Sequence, residues 1–470
     1  MTQDRYDVVI IGAGPAGIFT ALELMRTAPK ARVLIVERGR QIAKRTCPAR
    51  TTGKCVHCDP CAIMCGWSGA GAFSDGKLSL SEEVGGALVE YLPRKDVQEL
   101  IQYADSIYLE FGARKEVHGL STPDVERIAY EAARYNIQLI PCPIRHLGTD
   151  GAYQVLSGMY DAIAAHDNIT FMERTDAVDL LRVKERVCGV RIKQAGAPER
   201  DVYAPFVVAA PGRGGAQWLS ETARRHGILT TNNAVDIGVR VEVPNAIMDH
   251  LTRYLYEAKL VYYSDTFENK VRTFCMNPGG VVSEEHYEGG LAVVNGHSYG
   301  DAARRTENTN FAILVSNTFT EPFDEPIEYG RYIARLGNML TGGHVMVQRL
   351  GDLLAGRRTT AKRIAKSTTR VTLETAVPGD LSFMLPHRHL TSIIETLKAF
   401  DHIAPGLFSR NTLLYGAEVK FYSSKLKVAG DFQTPLDGLY AAGDGAGITR
   451  GLMQASVNGV VVARSIAARL

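Results

Sequence analysis

YDVVIIGAGPAGIFTALELM, residues 6–25, passes from a β-branched run through three glycines into a helix-forming stretch. Each glycine has a steric task. Gly12 permits a tight turn, Gly14 lets a pyrophosphate approach the backbone, and Gly17 lets the helix pack closely on the strand. Gly12, Gly14, Pro15, Ala16 and Gly17 are therefore the expected contacts on the phosphate side. A second apolar run, ARVLIVERG, ends at Glu37, 20 residues after Gly17. A carboxylate there can accept bonds from the ribose hydroxyls of an adenosine, and its charge disfavours a 2′-phosphate. Arg38 follows it directly. The pattern predicts a Rossmann-like βαβ unit that binds a dinucleotide, without choosing between FAD and NAD.

The rest of the chain is consistent with a large globular protein. Its 470 residues, 45% hydrophobic, suffice for two or three packed domains. Lys plus Arg number 53 and Asp plus Glu 51, a net charge of +2, and the basic residues read as scattered, so nothing calls for nucleic acid. No stretch reads as a membrane span. The opening MTQDRYDVV is polar where a secretory signal is basic and then apolar, and the closing ARL resembles a peroxisomal address only loosely. A cytoplasmic, reducing location is expected.

The distal half of the chain narrows the choice of nucleotide. VYAPFVVAAPGRGG, residues 202–215, reads as a hairpin feeding a buried strand that ends in a turn at Gly212. GLYAAGDGAGITRGL, residues 438–452, gives a short strand with Gly443 and Asp444 at its tip, a loop, then Gly451, Leu452 and Met453 opening a long amphipathic helix. An acid at a strand tip can bond a ribityl or ribose hydroxyl, and the helix start offers free N–H groups to phosphate or to a flavin carbonyl. In this closing GD motif the chain resembles the glutathione-reductase-like two-dinucleotide-binding flavoproteins. It is more closely similar to a bacterial family of uncharacterised FAD-dependent dehydrogenases. That likeness rests on CDPCAIMCGWSGAGAFSDGKLSLS (58–81), VRTFCMNPGGVV (271–282), VVNGHSY (293–299) and the closing segment, with Asn277 and His297 departing from the family's usual Cys and Met. The resemblance implies FAD as cofactor and an α/β architecture: a discontinuous FAD-binding domain of glutathione-reductase type with an inserted α+β substrate domain.

On that basis residues 1–80, 120–235 and 405–470 form the FAD-binding domain, 81–119 a connector, and 236–404 the substrate domain. PDVERIAYEAARYN and the strand-like IQLIPCPI are expected to return to the nucleotide sheet. Tyr153 to His166 reads as a helix. KLVYYS, VRTFCM and LAVVNG read as strands of an antiparallel sheet, and 301–365 looks more helical. Only one complete dinucleotide fingerprint is present, so NAD(P)H, if used, reacts transiently over the flavin.

Five cysteines crowd between Cys47 and Cys65. Cys55, Cys58, Cys61 and Cys65 have the C-x2-C-x2-C-x3-C spacing of bacterial ferredoxins, although Gly66 stands where proline is usual. A single [4Fe–4S] centre would use Cys55, Cys58 and Cys61 with a remote ligand among Cys47, Cys65 and Cys142. Four-thiolate zinc, redox thiols and plain buried cysteines stand as alternatives. Beyond them, Gly69, Ala70, Gly71, Ser74, Asp75 and Gly76 compose a backbone-rich cradle, and Lys77 can place positive charge near N1 of a reduced flavin.

On the substrate side His297 is a candidate proton partner, with Cys275, Tyr262, Tyr263 and Arg240 as alternatives, and Arg450 can face substrate or flavin. His387 and His389 lack a nearby carboxylate and are expected at a surface or hinge. The sequence therefore predicts an FAD-dependent dehydrogenase or reductase that moves hydride between flavin N5 and a small organic molecule, with NAD(P)H or a ferredoxin as electron source. An FAD monooxygenase using NAD(P)H and oxygen is the second reading, and a flavin-bearing RNA-modification protein the third.

Overall fold

The computed structural model describes residues 4–48, 56, 58–73, 76–231, 234–287, 290–298, 302–317, 319, 323, 325–420 and 425–470. The chain is mixed α/β and divides into two compact units: residues 1–116, 145–233 and 423–470, and residues 117–144 and 234–422.

The first unit is built on β1 (Val8–Ile11), α1 (Pro15–Thr27) and β2 (Val33–Val36). β1 lies at the centre of a five-stranded parallel sheet ordered Leu439–Ala441, Phe206–Ala209, β1, β2, Ile169–Met172. Covered on both faces, its strands read as unbroken apolar runs rather than alternating ones. Burial drives this unit: every residue of β1, β2 and Phe206–Ala209 is buried. Gly17 makes the βαβ turn possible, because a Cβ there would lie 2.0 Å from the Gly12 carbonyl oxygen. The closing helix, Leu452–Ala467, packs along α1, and the Thr20 hydroxyl donates to Ala16 O and Gly459 O. A three-stranded antiparallel sheet, Thr175–Val183, Arg186–Gln194 and Glu199–Tyr203, precedes the central strand Phe206–Ala209.

The second unit is organised by an eight-stranded sheet ordered Val377–Pro378, Met346–Arg349, Leu413–Lys420, Val235–Pro244, Asn308–Asn317, Lys270–Asn277, Leu260–Tyr263, Gln138–Leu139. Strand alternation sorts Val235–Pro244 sharply. Val235, Ile237, Val239, Val241 and Val243 share a core with residues of the helices Asn245–Leu255, Pro326–Thr341 and His387–Phe400. Asp236, Arg240 and Glu242 point to the opposite face and are buried as well.

Several expectations need correction. Residues 120–144 belong to the second unit, not to the nucleotide domain: Ile128, Ala132 and Ile137 enter its core, and IQLIPCPI supplies the two-residue edge strand Gln138–Leu139 of its sheet and the first residue of the short strand Ile144–His146. Residues 81–116 are part of the first unit rather than a connector; Val97, Ile101, Ala104 and Tyr108 of the helix Arg94–Glu110 are in its core. The 301–365 segment contains the central strand Asn308–Asn317 and the strand Met346–Arg349 besides the helix Pro326–Thr341, since its apolar run FAILV is buried between neighbouring strands. His389 is buried rather than at a surface, with its Nε2 2.6 Å from Asn317 Nδ2. Burial, with Arg388 beside it, pulls its pKa down to about 4.

Candidate functional site

In the first unit, four glycine-bearing loops meet at the carboxyl end of the parallel sheet. The turn after β1 carries Gly12 at φ +99°, and α1 starts behind Gly14 with Pro15 in its first turn and no side-chain cap. A Cβ built on Gly14 meets nothing within 4 Å. The start of α1 at Gly14 thus leaves room beside the backbone, as a phosphate-binding helix start requires. The Gly66–Gly71 loop closes one side: Ser68 N donates to Ala13 O, and a Cβ on Gly69 would lie 3.6 Å from the Gly14 Cα. The loop at Gly212 (φ +64°) and the loop at Gly443 (φ +77°) close the other, with a Cβ on Gly445 reaching 2.4 Å from Gly212 O.

Glu37 stands at the end of β2 with its carboxylate fixed by three backbone donors: Ala13 N to Oε2, and Gly39 N and Gly66 N to Oε1, each at 2.8 Å. A carboxylate has about four acceptor sites, so one is left for a hydroxyl. Arg38 is turned outward and pairs with Asp59 at 3.0 Å and Asp176 at 3.2 Å. Asp444 at the tip of Leu439–Ala441 accepts from Thr449 Oγ1 at 2.7 Å and Arg213 Nε at 3.0 Å. Gly443 N donates to Asn458 Oδ1 at 2.8 Å. The closing helix starts after Gly451, again without a side-chain cap, so the N–H groups of Leu452 and Met453 face its open end. Two buried polar atoms at this site have no partner, Ser68 Oγ and Asn458 Nδ2. Orphaned donors, a side-chain-free cradle and two uncapped helix starts fit a bound dinucleotide.

Gly69, Ala70 and Gly71 form the tight turn Gly69–Phe73, Gly76 O accepts from Leu147 N, and Lys77 is half-buried in the strand Lys77–Ser79. Arg450 N donates to Gly85 O. Ser74 and Asp75 lie outside the described residues, as does Cys55. The remaining cysteine block is organised by Arg45. Its guanidinium donates to Ala62 O, Ile63 O, Trp67 O and Gly69 O at 2.5–3.0 Å and lies 4.8 Å over the Phe73 ring. Burial, with the Glu37 charge nearby, pushes the Cys65 thiol up to about 11. Among the described residues, which do not include Cys55, no group of three or more His, Cys, Asp or Glu side chains converges.

In the second unit the motifs VRTFCMNPGGVV and VVNGHSY meet around one residue. Arg240, fully buried, donates through Nε and Nη2 to Glu418 at 2.9 and 3.2 Å, and through Nη1 to Asn310 Oδ1 at 2.7 Å and Cys275 O at 3.2 Å. Lys420 adds a second cation 2.8 Å from Glu418. Burial alone would raise the Glu418 carboxyl, but Arg240 and Lys420 outweigh it and hold it below the ordinary carboxylate value. The hairpin Val281–Tyr287 and Leu291–His297 lies across this cluster at Gly296, where a Cβ would sit 2.1 Å from Arg240 Nη1 and 2.6 Å from Asn277 Nδ2. Cys275, at φ +47° in a bulged strand, contributes its carbonyl to Arg240. His297 ends the hairpin one residue beyond Gly296. The structure thus places the Cys275 backbone in the Arg240 cluster and His297 next in sequence to it at Gly296, both in the second unit, while Lys77 and Arg450 belong to the first. Glu418, Asn310, Ser68 and Asn458 escaped the sequence reading. Only the polar alternation of VDIGVRVEV pointed toward Arg240 and its partners.

Residues 234–421, nearly the whole second unit, match the family model described as FAD-dependent protein, C-terminal domain-like. The chain is 26% identical over 481 residues to an uncharacterized protein of Clostridium beijerinckii, covering 97% of this chain and 80% of that one. Among solved structures it is similar to a formate oxidase, at 12% identity and TM-score 0.47, covering 100% of this chain and 99% of that one. It is also similar to an E. coli quinol fumarate reductase variant, at 12% identity and TM-score 0.43, covering 100% of this chain and 71% of that one.

Proposed function

We propose that this chain is an FAD-dependent oxidoreductase that transfers hydride between flavin N5 and a small organic substrate. The observation that carries the reading is the side-chain-free start of α1 behind Gly14, with Glu37 pinned one strand away, in a chain whose second unit matches an FAD-dependent family model. Gly12, Gly14 and the first N–H groups of α1 hold the pyrophosphate, and the remaining lone pair of Glu37 takes an adenosine ribose hydroxyl. Asp444 is the ribityl acceptor. The N–H groups of Leu452 and Met453 face the flavin pyrimidine, and Lys77 supplies compensating charge. The flavin, when bound, provides the two-electron chemistry; the protein orients it and supplies a proton partner, for which His297 and Cys275 are the candidates. NAD(P)H or a ferredoxin provides the electrons. The cysteine block is assigned to loop structure around Arg45 rather than to a metal.

An anaerobic ultraviolet–visible spectrum of freshly purified protein, with released flavin identified by mass and iron and zinc determined on the same sample, tests this. FAD in stoichiometric amount without metal is expected. Protein that carries no flavin and takes up none from added FAD refutes the reading, and stoichiometric iron refutes the assignment of the cysteines.

A further inference from the structure

Residues 357–370, RRTTAKRIAKSTTR, place six cations in 14 positions with no acid, contrary to the scattered distribution expected from overall composition. The segment is fastened to the edge of the second unit's sheet. Thr359 N donates to Gly379 O at 3.0 Å and Arg358 Nη2 to Pro378 O at 3.4 Å, beside the edge strand Val377–Pro378. The buried Gln348 amide ties the two sides of that edge together, donating to Arg357 O at 3.0 Å and accepting from Leu381 N at 2.8 Å. Ile364 and Val371 turn inward against Val345, Val347 and Leu413.

The cations divide into two groups. Arg357 pairs with the buried Asp352 at 2.9 Å, and Arg363 lies 3.8 Å from the same carboxylate. Arg358, Lys362, Lys366 and Arg370 are exposed, and among the described residues none has a carboxylate within 4 Å. Glu374 and Asp380 follow in sequence, and Asp380 is engaged by Ser382 N and Oγ. Two large apolar side chains stand out on the same fastened edge, Leu354 at 48% and Phe383 at 71% exposure. Unpaired cations beside solvent-exposed apolar side chains match a surface of negative headgroups over hydrocarbon. The cationic stretch itself holds no aromatic residue, so Phe383 is a lone ring beside it rather than the succession of stacking platforms on which single-stranded nucleic acid lays its bases.

We propose that this sheet edge docks on an anionic lipid surface, with Arg358, Lys362 and Lys366 against headgroup phosphates and Phe383 and Leu354 at the acyl boundary. This peripheral contact needs no spanning helix and is independent of the flavin reading. Cosedimentation of the full chain with phosphatidylglycerol vesicles tests it, with phosphatidylcholine vesicles as the uncharged comparison. Binding to the anionic vesicles alone is expected, weakening as salt is raised. Arg358→Ala with Lys362→Ala should lower the partition coefficient about thirtyfold, while Phe383→Ser should weaken binding without changing its salt dependence. All three changes are at exposed positions, so melting temperatures should match the parent. The proposal is overturned if the anionic vesicles leave the protein in the supernatant or if the double variant binds as well as the parent. It is also overturned if single-stranded RNA binds the protein more tightly than the anionic vesicles do at equal charge and Phe383→Ser leaves vesicle binding unchanged.

Discussion

Glu418→Gln removes one charge from a place where the structure allows nothing to replace it. The Arg240 guanidinium is fully buried, and Glu418 takes two of its bonds and the Lys420 ammonium besides. Breaking a buried pair by deleting one partner costs about 3–5 kcal/mol, because the surviving charge stays desolvated. Arg240 keeps its bonds to Asn310 and Cys275, which places the expected loss near the lower bound, about 3 kcal/mol. For a unit of roughly 200 residues that corresponds to a fall in melting temperature of about 6–12 °C by differential scanning calorimetry. Lys420→Met removes the second cation and leaves the Arg240–Glu418 pair in place, so it should cost less than Glu418→Gln. Acid adds a second signature. Glu418 is held below the ordinary carboxylate value of 4.5, so its stabilisation is complete above that pH and disappears as the pH falls below it. The parent should therefore lose its advantage over Glu418→Gln on acidification. A variant melting within about 2 °C of the parent at neutral pH, or one no worse than Lys420→Met, would refute the reasoning.

Two glycines three and six residues after β1 should separate folding from cofactor binding. Gly14→Ala places a methyl group in open space at an ordinary φ of −76°, so stability should hold within about 0.5 kcal/mol while FAD affinity, titrated into apoprotein, falls about tenfold or more. Gly17→Ala, with its methyl 2.0 Å from Gly12 O, should lower stability itself by about 1–3 kcal/mol; the opposite pattern would mean the cradle is misread. His389 has a folded pKa of about 4 against 6.5 in the unfolded chain, so the protein should be fully stable above pH 6.5 and lose about 3 kcal/mol as the pH falls toward 4. His389→Gln should flatten urea-derived stability across that window, and an unchanged slope would remove His389 as the cause.

The nucleotide end was legible because its constraints are local. A buried parallel strand, a turn that only glycine can make and an acid one strand away all fall within 30 residues, Val8 through Glu37, and the GD tip repeats the logic at Gly443. The second unit resisted for a non-local reason. Arg240, Glu242 and Asp236 alternate with valines as in a strand with one wet face, yet that face is covered by a hairpin drawn from residues 281–297. Alternation reports which side a residue faces and not what later covers it. Glu418 and Asn310, 178 and 70 residues from Arg240, carry no local mark of their pairing. The helix Pro123–Ala133 was assigned to the wrong unit because helix period identifies an apolar stripe without identifying its partner.

Arg45 gives the loop beside Glu37 a counter-ion that belongs to the chain. Four carbonyls that would suit a captured cation are instead turned toward a guanidinium present in every copy at fixed stoichiometry. Burial lowers its pKa only to about 10, so it remains protonated at neutral pH. At those four carbonyls the shape of this wall is therefore inherited at translation, held by a charge that is never captured from solution and never released to it.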